Sequence, residues 1–276
     1  MKSISRYLDY RKRFNAPVWV GETGERDSTI YWATTDYFEA NNIGWSFWPW
    51  KKLDADNCPV SIKRPAQWDA IVAYSRGEAK PSSDTAQNAF DELLKNIRVE
   101  NCVAHSTVVN AMLRRVPGRI EAENFGHNGS GVSYHVKNAI QRSKFYRTGE
   151  PVPINLGESR RPRSSQFITL SATEWTAYTI DSNSQQDCEV TVRARATNAS
   201  AVAELSVGEK TVGVTVIDNA WKEIKVGDIQ FSRGANRLKW TVKQGTTDLD
   251  WIDVRSPIKP EQSSTQAHAA PEPANE

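Results

Sequence analysis

The sequence predicts a multidomain chain in which a parallel α/β segment precedes an all-β antiparallel sandwich. Three observations carry this reading. Residues 1–116 alternate strand-like and helix-like patterns, and the order strand–helix–strand–helix implies βα units on a parallel sheet. From residue 117 the hydrophobic period becomes two, as in CEVTVRARA (188–196) and RLKWTVK (237–243). Such alternation buries one face of a strand and wets the other. Short apolar runs then recur about ten residues apart with glycines between or near them, the spacing of a sandwich.

Each element follows in turn. PVWVGE (17–22) reads as a short buried strand. Asp27 or Ser28 caps a helix that carries Tyr31, Tyr37 and Phe38 and ends near Asn41–Asn42. IGWSFWPW (43–50) is a second buried strand. A helix runs from about Pro65, a residue suited to a first helical position, to Gly77. Ser83 or Asp84 caps TAQNAFDELLKNI, whose Phe90, Leu93, Leu94 and Ile97 share one helical face. Residues 81–116 read as helix, extended piece and helix, a linker with no functional signal. FITL, EWTAYTI, VAELSV, VGVTVI, WKEIKV and LDWIDV supply sandwich strands between 117 and 256. The remainder, 257–276, is a polar Pro/Ala/Glu tail that cannot bury enough surface to fold.

Composition narrows the function. Thirty-five basic residues against thirty-three acidic leave +2, which gives no electrostatic reason to expect nucleic acid or an anionic membrane. No apolar run is long enough to span a bilayer. Three cysteines, Cys58, Cys102 and Cys188, match no metal spacing and allow at most one disulfide. The basic start, MKSISRYLDYRKRF, lacks the apolar segment of a secretory signal and reads as the end of an amphipathic helix. Ten tryptophans in a nearly neutral chain lean toward sugars, whose C–H faces stack on flat aromatic rings. His105, His127, His135 and His268 show no ligand spacing, and no serine occupies a G-x-S-x-G elbow. The basic run SRRPRSS (159–165) reads as a solvated loop.

In the first half, Glu22 ends a strand and Trp48 stands at the same end of the next. A carboxylate at the C-terminal end of a parallel strand is where barrel enzymes place catalytic groups, and an aromatic wall beside it suits a glycosidase. The same two residues also suit a turn cap and a core aromatic. PVWVGETGE, then NNIGWSFWPWKK about twenty residues later, then the P-x-x-W of RPAQW resemble the last two βα units of glycoside hydrolase family 5. The resemblance covers residues 1–80 and implies part of a (β/α)8 barrel and retaining hydrolysis of β-linked polysaccharides, endo-β-glucanase-like. It places the nucleophile on Glu22, a sugar-subsite aromatic on Trp48 and a substrate contact on Lys51. A retaining glycosidase needs a second carboxyl group about 5–5.5 Å away. The family's N-E-P acid/base motif and histidine-containing strand-six motif are absent, and Glu25 lies too close to Glu22 along the same loop to take the acid role. A whole barrel takes about 200–250 residues, so the expectation is the C-terminal fragment of a longer enzyme, inactive alone, with the missing N-terminal part of the barrel as a partner.

In the second half, RIEAENF (119–125) places Glu121 and Glu123 two apart, on one face if the strand continues. TTDLDWIDV adds Asp248, Asp250 and Asp253. If the first and last strands pair, these acids meet, and hard oxygen ligands in that number suit Ca²⁺; solvated surface acids are the alternative. IEAEN, EWTAYT, AWKEIKVG and LDWIDV arrive in the order and spacing of carbohydrate-binding module family 6, which resembles residues 118–255. The resemblance implies a non-catalytic jelly-roll-type sandwich with a structural Ca²⁺ on Glu121, Glu123 and Asp250. It implies a sugar cleft in the loops at one end, with Trp221 as its second aromatic and Asp248 at an asparagine position. The first aromatic position falls on Thr169, with Phe167 as its substitute. Trp175, Trp240 and Trp251 read as core, and Tyr134 or Tyr146 as residues able to line a loop site.

The expected partner is therefore a polysaccharide, bound by a protein whose full-length parent is extracellular or periplasmic. A glycosidase with an attached binding module and a purely non-catalytic sugar-binding protein are the two readings.

Overall fold

The computed structural model describes residues 2–24, 27–143, 146–157 and 166–256, with side chains from Arg6 onward. Glu25, the run 159–165 and the tail 257–276 fall outside the described residues.

Helix α1 (Lys2–Phe14) leads into β1 (Trp19–Thr23), α2 (Ser28–Ala40) and β2 (Gly44–Phe47). Asp27 caps α2 by accepting from the Ile30 amide at 3.1 Å, as its short carboxylate predicts. β1 and β2 pair in parallel, Trp19 opposite Gly44 and Val20 opposite Trp45. β3 (Lys51–Leu53), β4 (Val60–Ile62) and, beyond α3 (Trp68–Ser75) and α4 (Ser83–Asn96), β5 (Val103–Ala104) form a second small sheet. α5 (Ser106–Leu113) closes this part. The α4 cap is Ser82, one residue earlier than its sequence predicts, because the Ser82 hydroxyl accepts from Thr85 N at 3.0 Å.

The two strands expected to be buried are not. Trp19 is 65% exposed and Trp48 59%. α2 packs on β2, with Tyr31 edge-on to Phe47, and the Trp19 ring fills the space where side chains on Gly44 and Gly21 would stand. The predicted apolar face of α4 is likewise open: Phe90 packs edge-on against Trp68, while Leu94 and Ile97 are exposed.

The sandwich opens with β6 (Gly118–Glu121), β7 (Tyr134–His135), β8 (Ile154–Leu156), β9 (Gln166–Ser171), β10 (Trp175–Ser182) and β11 (Gln186–Ala196). It continues with β12 (Ser200–Val207), β13 (Lys210–Ile217), β14 (Lys222–Phe231), β15 (Gly234–Gln244) and β16 (Thr246–Arg255). One sheet runs β13-β12-β15-β10-β7; the other runs β14-β11-β16-β9-β8, with β6 also on β16. The first and last strands do pair, Ile120 opposite Ile252. Inward residues such as Ile168, Tyr178, Val192, Leu205, Trp240 and Ile252 are fully buried between the sheets, each large apolar side chain worth about 1.5–3 kcal/mol over exposure.

Two of the tryptophans expected in the core lie outside the cluster between the sheets. Trp251 is buried but points to the outer face of the six-stranded sheet, where the Arg119 guanidinium covers it at 4.0 Å. Trp175 is half-buried on the outer face of the five-stranded sheet, with Lys239 Nζ 4.4 Å from its ring. Only Trp240 of the three is interior. Tyr134 is in the core, and Tyr146 donates its hydroxyl to Asn124 at 3.0 Å.

The α/β part is fused to the sandwich. Trp32 of α2 belongs to the same core cluster as Val116, Ile120 and Ile180. Around it, Arg114 donates to Thr35 at 2.7 Å, His127 Nε2 lies 3.3 Å from Asp36, and Val116 N donates to Asp181 O at 2.9 Å. The three cysteines are free thiols, and no helix among the described residues is long and apolar enough to cross a membrane.

Candidate functional site

Parallel pairing brings the ends of β1 and β2 together. The Trp48 amide donates to Thr23 O at 2.6 Å, next to Glu22. The turn after β1 passes through Gly24 at φ +121°, where a β-carbon would stand 2.8 Å from Trp48 O and 2.9 Å from the Phe47 ring. Only glycine meets both demands. Glu22 and Trp48 are both exposed at this end. Lys51 is turned to α4, its Nζ donating to Ile97 O at 2.6 Å.

Strand register assembles the second locus. Thr169 on β9 pairs with Asp248 on β16, and Asp248 pairs with Arg195 on β11. Trp221 stands immediately before β14, the strand beside β11. The four form a row across the outer face of the six-stranded sheet, at the end where the connections 197–199 and 218–221 lie. Thr169 Oγ1 donates to Asp248 Oδ1 at 2.6 Å, Arg195 Nε donates to Asp248 Oδ2 at 2.8 Å, and Asn155 Nδ2 donates to Thr169 Oγ1 at 2.9 Å. The Arg195 guanidinium lies 4.6 Å from the Trp221 ring centre and 5.2 Å from that of Phe167. Phe167 and Trp221 meet edge to face, centroids 5.3 Å apart. Rings in contact leave no gap for a sugar between them. The half-buried indole instead lies under the guanidinium groups of Arg195 and Arg193 and meets Phe167 at its edge.

A neighbouring row repeats the pattern: Glu121 on β6, Trp251 on β16, Arg193 on β11 and Glu223 on β14. Arg193 is ion-paired to Asp250 and lies 4.9 Å from the Trp221 ring. Guanidinium groups over aromatic faces, each anchored by a buried carboxylate, thus tile this face; cation–π contacts of this kind are worth about 0.5–2 kcal/mol. Sequence reasoning put Arg193 and Arg195 on the polar side of CEVTVRARA but gave them no role. Their outward register opposite Trp221 was the signal available.

The carboxylates expected to hold calcium are close enough to feel one another. Burial, then the charge of Asp250, pushes Glu121 up to about 7. Burial, then Glu121, pushes Glu123 well above the usual carboxylate range. Burial also raises Asp250, against the pull of Arg193. The strand ends at Glu121 and turns, Asn124 N donating to Glu121 O at 2.9 Å, so Glu123 does not share the Glu121 strand face as alternation predicted. Glu123 Oε2 is buried without a hydrogen-bond partner, a group that a cation would satisfy. Yet Asp250 is committed to Arg193, and among the described residues no three His, Cys, Asp or Glu side chains gather as a metal site.

No protein-family model matches the chain, and no curated protein matches it significantly. Solved structures that are similar include a GH26-CBM35 beta-(1,4)-mannanase of Podospora anserina, 13% identical, covering 56% of this chain and 28% of that one, TM-score 0.36. Another is the C-terminal CBM6 of a marine laminarinase of Zobellia galactanivorans, 13% identical, covering 50% of this chain and 98% of that one, TM-score 0.36. A third is a carbohydrate-binding module CBM36 in complex with calcium and xylotriose, 17% identical, covering 49% and 98%, TM-score 0.34. The chain spans about a quarter of the length of the mannanases it resembles.

Proposed function

We propose that the chain binds polysaccharide through the Trp221 row of its sandwich. One observation carries this reading: Trp221, Asp248 and Thr169, drawn from three distant stretches of the sequence, stand in one row with a half-buried indole at its end. The indole would offer a C–H-stacking surface where Arg193 and Arg195 leave its ring open, and Asn155, at the far end of the row, adds an amide group. The test is affinity electrophoresis of the chain and of Trp221→Ala in gels containing β-glucan, xylan, mannan or polygalacturonate. Retardation that depends on Trp221 supports the reading, and equal mobility of both proteins in every gel refutes it.

The α/β part is read as the last two βα units of a retaining glycosidase barrel, residues 1–80, followed by the linker 81–116. The specific support is the parallel β1–β2 pair, which sets Glu22 and Trp48 at the same end. Glu22 would attack the anomeric carbon, while Trp48 supports the sugar ring. The acid/base carboxyl that retention also requires has no motif in this sequence, so the chain alone is expected to hydrolyse nothing, and a second polypeptide bearing that carboxyl would restore turnover. Turnover by the isolated chain that Glu22→Gln abolishes would overturn this.

Calcium belongs to the proposal as a structural ion held by Glu121, Glu123 and Asp250, the last through the oxygen that Arg193 does not use. Its role is to neutralise buried carboxylates, not to take part in chemistry. An extracellular or periplasmic setting for the full-length protein follows from a polymeric substrate.

A further inference from the structure

Resting on the polysaccharide-binding reading, the geometry points to a sugar that carries a carboxylate, a uronic acid, as the unit recognised at Trp221. The argument is one of unspent donors. Arg195 engages Asp248 through Nε alone, and its two Nη groups make no hydrogen bond among the described residues. Arg193 likewise uses a single Nη on Asp250. Both guanidinium groups lie within 5 Å of the Trp221 ring centre.

The acids that anchor them are sunk beneath the surface while the arginines are not. Side-chain exposure is 4% for Asp248 against 32% for Arg195, and 8% for Asp250 against 37% for Arg193. The pairs cancel in formal charge, but the negative ends point inward and the positive ends outward. What remains at the surface is two guanidinium forks of N–H donors over an aromatic plate. A guanidinium fork matches a carboxylate in a two-point hydrogen bond, and the indole supports the pyranose that bears it. A neutral hexose would leave these donors without a charged partner. No bond is made or broken.

The experiment compares polygalacturonate with the same polymer after reduction of its carboxyl groups, and dextran sulfate with dextran, by affinity electrophoresis and calorimetry of the whole chain at about 0.15 M salt, where distant charges are screened. The expected result is at least tenfold tighter binding of polygalacturonate than of its reduced form. That preference should vanish in Arg195→Gln and weaken several-fold in Arg195→Lys, which keeps the charge and loses the fork. Arg195→Gln leaves Asp248 buried and unpaired, so the pair-balanced Arg195→Gln, Asp248→Asn protein is measured beside it, each checked for an intact unfolding transition.

Equal affinity for the native and reduced polymers overturns the proposal. Dextran sulfate bound as tightly as polygalacturonate also overturns it, because charge alone would then suffice. So does a preference that survives loss of Arg195 in a folded protein. The two readings fail separately. Trp221-dependent binding of neutral polymers without acidic preference defeats only the uronate assignment. Binding of every polymer unchanged by Trp221→Ala defeats the site itself.

Discussion

Asp248 and Thr169, seventy-nine residues apart, are joined by a 2.6 Å hydrogen bond on the outer face of the six-stranded sheet. The same carboxylate receives Arg195 through its other oxygen. Asp248 is thus the fixed point of the row: it orients a hydroxyl on one side and a guanidinium on the other, and its burial demands both.

Loss of that fixed point should be costly. Asp248→Ala removes the partner of Arg195 and Thr169 together. Breaking a buried ion pair costs about 3–5 kcal/mol; Arg195 retains some access to water, so a loss of about 2–3 kcal/mol is expected. Urea unfolding measures it, and a change below about 0.5 kcal/mol, the range of an ordinary surface substitution, would contradict this account.

Trp221→Ala should separate binding from stability. The indole is half-buried and outside the core cluster, so stability should fall by about 1 kcal/mol, the worth of its edge-to-face and cation–π contacts. Retention on polysaccharide should weaken about tenfold or more, equivalent to ~1.4 kcal/mol.

Stability in EDTA should decline with rising pH. Glu121 has its folded-state pKa raised from 4.5 to about 7, and Glu123 is shifted in the same direction. The folded chain therefore holds protons that the unfolded chain has released. The stabilisation is whole below pH 4.5 and fades as the pH rises through about 7. Thermal melts at pH 5 and pH 8 should differ accordingly, and calcium should raise the pH 8 melt most. Glu123→Gln, which removes the buried charge, should blunt the pH effect. A melt that rises over this interval in EDTA would oppose the assignment.

Trp32→Ala should unfold more than its helix. Its indole is 3% exposed and packs in the sandwich interior; emptying such a site costs about 3–5 kcal/mol. The expected outcome is a single, lowered transition that includes the sandwich. Two transitions, with the sandwich unmoved, would show instead that the two parts fold independently.

Much of this was legible from residue order. The alternation of Val190, Val192 and Ala194 against Thr191 and Arg193 made β11 visible, and Asp27 announced α2. The outward face of the buried Trp251 has a local cause. Between Arg193–Trp251 and Ala194–Leu249 the register slips by one residue at Asp250, and a bulge of this kind re-aims side chains without changing the apolar pattern. Periodicity cannot separate Trp240, inside, from Trp251, outside. The exposed β1 and β2 were misread as buried because an apolar run states what a strand can bury, not what is present to bury it. Lys51 meeting Ile97 O depends on a helix forty-six residues away and had no local signal.

The Trp32 contact also bears on how a bound chain would be presented. Where a flexible tether joins two modules, a captured polymer samples many approaches and its effective concentration at the second module falls with tether length. A shared interior allows no such wandering. If Trp221 and Glu22 serve the roles proposed above, the repeat length and stiffness of the polymer, not the slack of a linker, would decide whether one strand touches both.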